Sequence, residues 1–231
     1  MLQELYIIDD PLTYNPFHYK HFDAAFMKFT KTIALLSLSG FILFFIIVVT
    51  LHFLRTDKNI LTSFVSEYAV GNYSWLMTIA FYCITTGATL LLIGLSINTR
   101  ATKKSIITLG IFCIGFLLVS IFPTDVPVNP PSPHGLIHAL AAVIALTCLG
   151  ISMITWSYVF KTEEQWKSLA GPSLFYGVCS LILFFVHFAS PTAWKGITQR
   201  FLILWDISWL IVLSCRLYYN KVLENKAYKY L

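Results

Sequence analysis

The chain has 231 residues, of which 57% are hydrophobic, 16% aromatic and only 12% charged. Soluble domains carry about 25% charged residues, so this composition excludes an ordinary water-soluble protein. The formal charge of +5 is scattered over the ends of apolar segments rather than gathered in a basic patch, which argues against a nucleic-acid partner.

A helix needs ~20 apolar residues to cross ~30 Å of hydrocarbon. Six stretches meet that length: Thr32–Leu54, Ser74–Asn98, Lys104–Phe122, His134–Phe160, Leu169–Ala189 and Gly196–Leu217. Strand-like alternation is absent, which favours a helical bundle over a barrel. The expected fold is all-α: a polytopic integral membrane protein with one six-helix domain over residues 32–217. A cytoplasmic or interfacial segment, 1–31, precedes it and a basic tail, 218–231, follows. Within the first segment, "YNPFHYKHFDAAFMKF" reads as an amphipathic or irregular stretch on the membrane surface, and no signal-peptide pattern is apparent. All five cysteines lie in apolar segments without a C-x-x-C pair and act as small hydrophobes.

The first connector, "RTDKNILTSFVSEYAVGNYSW", is long and irregular. Ser66, Glu67 and Tyr68 stand in it, Gly71 and Asn72 break it, and Ser74 is the expected N-cap of the second helix. Glu67 is read as the partner of Arg200, as a general base, or as a solvated carboxylate. The third connector leads into the fourth helix through "FPTDVPVNPPSPHGLIHAL", where Asp125 and five prolines precede His134 and His138. Four residues apart, these two histidines share one helical face. His187 closes the fifth helix at a comparable depth. In the last segment Asp206 falls six residues, or ~9 Å, below Arg200, and reads as a buried partner of Arg200, Lys195 or a histidine. Trp75, Trp156 and Trp194 are expected in the interfacial belt. His52 is expected to lie apart from the other histidines, and His18 and His21 carry no site role.

Lysine and arginine set the orientation. Twelve fall at the termini and on the second and fourth connectors, and four (Arg55, Lys58, Lys195, Arg200) on the other face. Both termini are therefore expected in the cytoplasm, and the three irregular connectors outside it.

Ionisable groups within membrane spans cost ~2.5–3.5 kcal/mol each and point to function. A histidine pair four apart, a third histidine from another helix and nearby carboxylates can hold zinc or another divalent metal with an open position. In that reading His134, His138 and His187 are ligands, Asp125 orients a ligand or water and Glu67 is the base, although the pair lacks the glutamate of H-E-x-x-H. The product would be a membrane enzyme hydrolysing a lipid or lipid-linked substrate. Two histidines clasping a haem iron, a proton relay, a lipid headgroup held by Ser66, Tyr68, Arg200 and Asp206, or helices merely locked together are the alternatives. Expected partners are membrane lipids and a second copy or another subunit of a membrane complex, with no nucleic acid.

Three elements, "SEYAVGNYSWLMTIAF", "FPTD" followed by "HGLIHAL", and "GITQRFLILW", together resemble the bacterial membrane-protein family known as domain of unknown function 998. The resemblance implies one six-helix module of the bacterial inner membrane. It carries over Ser66, Glu67, Tyr68, Asp125, His134, His138 and Arg200 as motif positions. The layout is also similar to the Frag1/DRAM/Sfk1 group, which is tied to lipid handling. The H-x-x-x-H resembles part of the intramembrane zinc site of the alkaline ceramidase superfamily. This chain has no S-x-x-x-H of that superfamily, and its histidine pair precedes rather than follows the third histidine.

Overall fold

The computed structural model describes residues 16–126 and 130–219, with side chains from residue 25 onward. Six long helices follow one another: α1 (Pro16–Leu54), α2 (Ser74–Asn98), α3 (Lys103–Ile121), α4 (Pro133–Thr162), α5 (Ala170–Ala189) and α6 (Lys195–Tyr218). Short 3₁₀ turns at Val65–Ala69, Lys167–Leu169 and Thr192–Trp194 shape three of the connectors. All six helices are long and apolar enough to cross a membrane, as the six apolar runs require.

Local chemistry sets where the helices begin. Ser132 caps α4 by accepting the Gly135 N–H, and Pro133 occupies the first turn, where its missing N–H costs nothing. Thr102 and Ser105 cap α3 reciprocally. The entry to α2 differs from the expectation, because the cap position is Tyr73 and Ser74 is already helical. Tyr73 (φ 59°) and Gly71 (φ 83°) are both left-handed, so backbone shape turns the chain there without a side-chain cap. α1 starts at Pro16 and runs unbroken into the span, so over residues 16–31 the expected amphipathic or irregular segment is helical rather than irregular. No glycine or proline occurs between Pro16 and Gly40 to stop propagation.

Each helix packs on its neighbours in the chain, α6 closes the ring onto α1, and α2 touches α6 across it. Lipid tails are as apolar as the side chains, so close approach has to hold such helices together. At α1–α2, Gly40 and Gly87 bring the backbones within 3.4 Å of where a methyl would stand. Beside them the buried Ser37 hydroxyl donates to the Gly87 carbonyl at 2.8 Å and meets Ser214 Oγ at 2.9 Å, tying α1, α2 and α6. The core around this seam includes Phe41, Phe44, Met77, Leu91, Leu210 and Leu213. α5 is the most peripheral helix, with only Ser173, Gly177, Ser180 and His187 buried.

The first, third and fifth connectors share one end of the bundle, here the upper end: the end of α1 meets the start of α6, and Phe81 near the start of α2 meets His138 near the start of α4. Trp75 and Trp194 are 60% and 55% exposed there, as belt residues are. Trp156 is not a belt residue. It is fully buried and packs on Phe160, which stacks on Trp166.

Candidate functional site

The first connector is a folded cap laid over the start of α6. Arg55 begins it: two guanidinium nitrogens donate to both carboxylate oxygens of Asp57 at 2.7 and 2.8 Å. Nη1 donates to the carbonyls of Val70 and Asn72 at 2.8 and 2.9 Å. One buried side chain thus staples the end of α1 to the turn before α2. The same contact holds the Asp57 carboxyl down at about 2, since Arg55 stabilises its charged form. Glu67 is buried at 7% and fully engaged. Its Oε2 accepts from Lys58 Nζ at 2.9 Å and its Oε1 from the Phe64 N–H at 2.9 Å. Glu67 therefore pairs with Lys58, nine residues away, and not with Arg200. Ser66 lies half-buried in the same 3₁₀ turn.

Gly196 makes the docking of this cap possible. A Cβ there would stand 2.5 Å from the Ile60 carbonyl oxygen and 2.6 Å from that of Ser63. In its absence the Gly196 N–H donates to the Leu61 carbonyl at 2.8 Å, and Gln199 Oε1 accepts from the Val65 N–H at 2.7 Å.

One turn on, Arg200 gathers the cap, α1 and α6 around its guanidinium. Nη1 donates to the carbonyls of Ile60, Ser63 and Gly196 at 2.9, 2.7 and 2.9 Å. Nη2 donates to the Tyr68 hydroxyl at 3.2 Å, and Nε donates to His52 Nε2 at 2.9 Å. Because Arg200 has only N–H groups to offer, His52 Nε2 must present its lone pair. The ring proton then sits on Nδ1, where the Val48 carbonyl accepts it at 2.5 Å. His52, expected to lie apart from the other histidines, is central to this cluster through Arg200, Tyr68 and Val48, since ring closure brings the end of α1 against α6. Tyr68 is fully buried and packs its ring 5.4 Å from that of His52.

A pocket of about 180 Å³ opens beside this cluster between α1 and α6. Phe44, Phe45, Val48, Val65, Ile203 and Leu204 line it, with His52 and Arg200 as its polar members. Leu204 and the neighbouring Phe201 and Val49 are 53%, 59% and 54% exposed, so the mouth opens sideways, toward lipid in a membrane.

The third connector resolves differently. Asp125 accepts the Ser132 N–H at 2.6 Å and the Ser132 hydroxyl at 2.8 Å, buttressing the cap of α4. Its carboxylate lies so close over α4 that a Cβ on Gly135 would stand 2.0 Å from Oδ2. Gly135→Ala is therefore expected to lower stability by about 1–2 kcal/mol, the worth of a helix cap. Asp125→Ala should cost about the same, and the double variant no more than either alone. Thermal unfolding of the three variants in detergent checks this. Pro127, in the same stretch, falls outside the described residues.

The three histidines expected around a metal do not face a common centre. His134 is exposed and stacks on Phe122, with ring centroids 5.7 Å apart. His138 is buried and turned toward α3, its Nδ1 donating to the Phe122 carbonyl at 2.8 Å. His187 points to α6. The Thr198 hydroxyl spends its proton on the carbonyls of Trp194 and Lys195, so it accepts from His187 Nδ1 at 3.1 Å. Among the described residues no three His, Cys, Asp or Glu side chains are grouped to hold a metal ion.

Asp206 is 1% exposed, and its Oδ1 accepts the Ser180 hydroxyl at 2.6 Å. Oδ2 has no partner among the described residues. Its partner is thus neutral and on α5, not Arg200, Lys195 or a histidine. Lys195 instead donates to the carbonyls of His187 and Phe188 at the end of α5, at 2.9 and 2.7 Å.

Residues 38–216 match the family described as "Protein of unknown function (DUF998)", and the chain belongs to that family. The match takes in both helices of the pocket, the cap and the Asp125 connector. No curated protein and no solved structure matches the chain.

Proposed function

We propose that this multi-pass membrane protein is a lipid-binding module, which takes an amphiphile sideways from the bilayer into the pocket between α1 and α6. The observation that carries this reading is the pocket's lining: apolar side chains of two membrane-spanning helices with one guanidinium at the upper end. Ligand sites of this kind are mostly apolar, with a few polar groups that fix orientation. The excess of Lys and Arg toward the opposite end supports a reading with the upper end outside the cytoplasm, both termini cytoplasmic and the bacterial inner membrane as its setting.

Binding fits the polar groups better than hydrolysis does. Glu67 is engaged by Lys58 and a backbone N–H, Asp125 by Ser132, and the histidines by separate partners. By contrast Arg200 and His52 face the pocket directly.

Filling the pocket is the test. Purified protein reconstituted in nanodiscs should retain lipid when released for native mass spectrometry. Ile203→Trp, which places an indole in the lumen, should lose that lipid while unfolding at a similar temperature. Equal lipid retention by the two proteins would rule the reading out.

A further inference from the structure

Resting on this pocket reading, we infer that the ligand is an anionic amphiphile, with a carboxylate or phosphate oxygen on Arg200 Nη2 and one chain running down between α1 and α6. Charge bookkeeping at the upper end carries the first part. Arg55 is neutralised by Asp57 and Lys58 by Glu67, while Lys195 lies outside the pocket lining and is spent on the His187 and Phe188 carbonyls. Arg200 touches carbonyl oxygens, an imidazole nitrogen and a phenol, and none of the ion pairs among the described residues includes it. Every one of those partners is neutral, so the guanidinium keeps its full charge at the edge of a low-dielectric region. An anion there restores the balance, and arginine suits carboxylate and phosphate by shape as well as charge. Basic pockets between membrane helices bind anionic headgroups on these grounds.

Donor bookkeeping locates the contact. Nε–H is spent on His52, both Nη1 hydrogens on three carbonyls, and one Nη2 hydrogen on Tyr68. A guanidinium has five N–H groups. The second Nη2 hydrogen is the donor left over, on a side chain that lines the pocket.

Depth supplies the chain. On α1 the lining runs from His52 through Val48 to Phe45 and Phe44, eight residues or ~12 Å along the helix. On α6 it runs from Arg200 to Ile203 and Leu204 in the antiparallel direction. Polarity therefore falls from the upper end toward mid-membrane along both walls, which matches a headgroup above and a hydrocarbon below rather than a soluble anion.

The experiment uses the full chain in nanodiscs of phosphatidylcholine doped with phosphatidylglycerol of the same chains. Separate arms add a long-chain fatty acid or inorganic phosphate, and bound species are read by native mass spectrometry. The wild type should retain phosphatidylglycerol or the fatty acid over phosphatidylcholine by about tenfold, the worth of one charge-assisted hydrogen bond. Arg200→Lys should keep the preference and Arg200→Gln should bring it to parity. The wild-type comparison stands even where Arg200→Gln fails to fold. Wild-type protein that holds all three lipids equally, with all three lost in Ile203→Trp, overturns the anionic headgroup and leaves the pocket reading intact. Lipid retention that Ile203→Trp does not change defeats the pocket reading itself. Inorganic phosphate binding as tightly as the amphiphiles overturns the chain and assigns the anion to a soluble source.

Discussion

Arg200→Gln is expected to lower stability by about 2–4 kcal/mol, the cost of leaving several half-buried partners of one charged group without their donor. The loss is spread over particular atoms. The carbonyls of Ile60 and Ser63 and the Nε2 of His52 each give up their donor. The Gly196 carbonyl loses less, because it also lies in the helical ladder of α6. At roughly 2–4 °C per kcal/mol for a chain of this size, the midpoint should fall by about 10 °C. Arg200→Lys should lose about half as much, since an ammonium can serve the two connector carbonyls but not the fork to His52 and Tyr68. Thermal unfolding in detergent measures both. Loss no larger than that of an exposed-arginine control would mean that the cap does not hang on this residue.

Gly196→Ala should cost about 2–4 kcal/mol for a different reason. The atoms a methyl would meet, the carbonyl oxygens of Ile60 and Ser63, belong to the backbone and cannot rotate away. The cap must lift, breaking the bonds from the Gly196 and Ile197 N–H groups to Leu61 and loosening those from Arg200. Because both substitutions release the same cap, Gly196→Ala with Arg200→Gln should cost less than their sum. Gly110→Ala, inside α3, is the control. The nearest atom to its Cβ position is Leu92 Cδ2 at 3.9 Å, an ordinary contact, so it should be neutral or slightly stabilising. Additive costs in the double variant would show that cap docking and the arginine cluster are separate.

The six spans are legible because they rest on length and composition, which a bilayer constrains strongly. Details that depend on which helices touch are not. His52 and Arg200 are 148 positions apart, and only closure of α6 onto α1 brings them together. Arg200 also binds main-chain carbonyls, which leave no side-chain signature to pair with it. One signal was available: Gly196 four residues before Arg200, a glycine inside a helix and so a mark of close backbone approach. Of the readings open to Glu67, pairing is the one the geometry supplies, and its partner is the nearer Lys58 rather than Arg200 because the connector folds back on itself. Asp206 was rightly read as buried. Its partner Ser180 carries no charge and so escapes any search for opposite signs. The histidine spacing gave a shared face on α4, yet it could not say that His138 would turn to α3 to take the Phe122 carbonyl.

The central claim, that an anionic amphiphile lies between α1 and α6 with its headgroup at Arg200, is tested most directly by photocrosslinking. An anionic lipid carrying a photoreactive group midway along its chain would be irradiated with the protein in nanodiscs, and adducts mapped by mass spectrometry. The account predicts adducts at Phe44, Phe45, Ile203 and Leu204, reduced by Arg200→Gln and competed by unlabelled anionic lipid. Adducts spread over the lipid-facing side of α5, such as Phe175, Ile182 and Phe185, with no enrichment between α1 and α6, would contradict it.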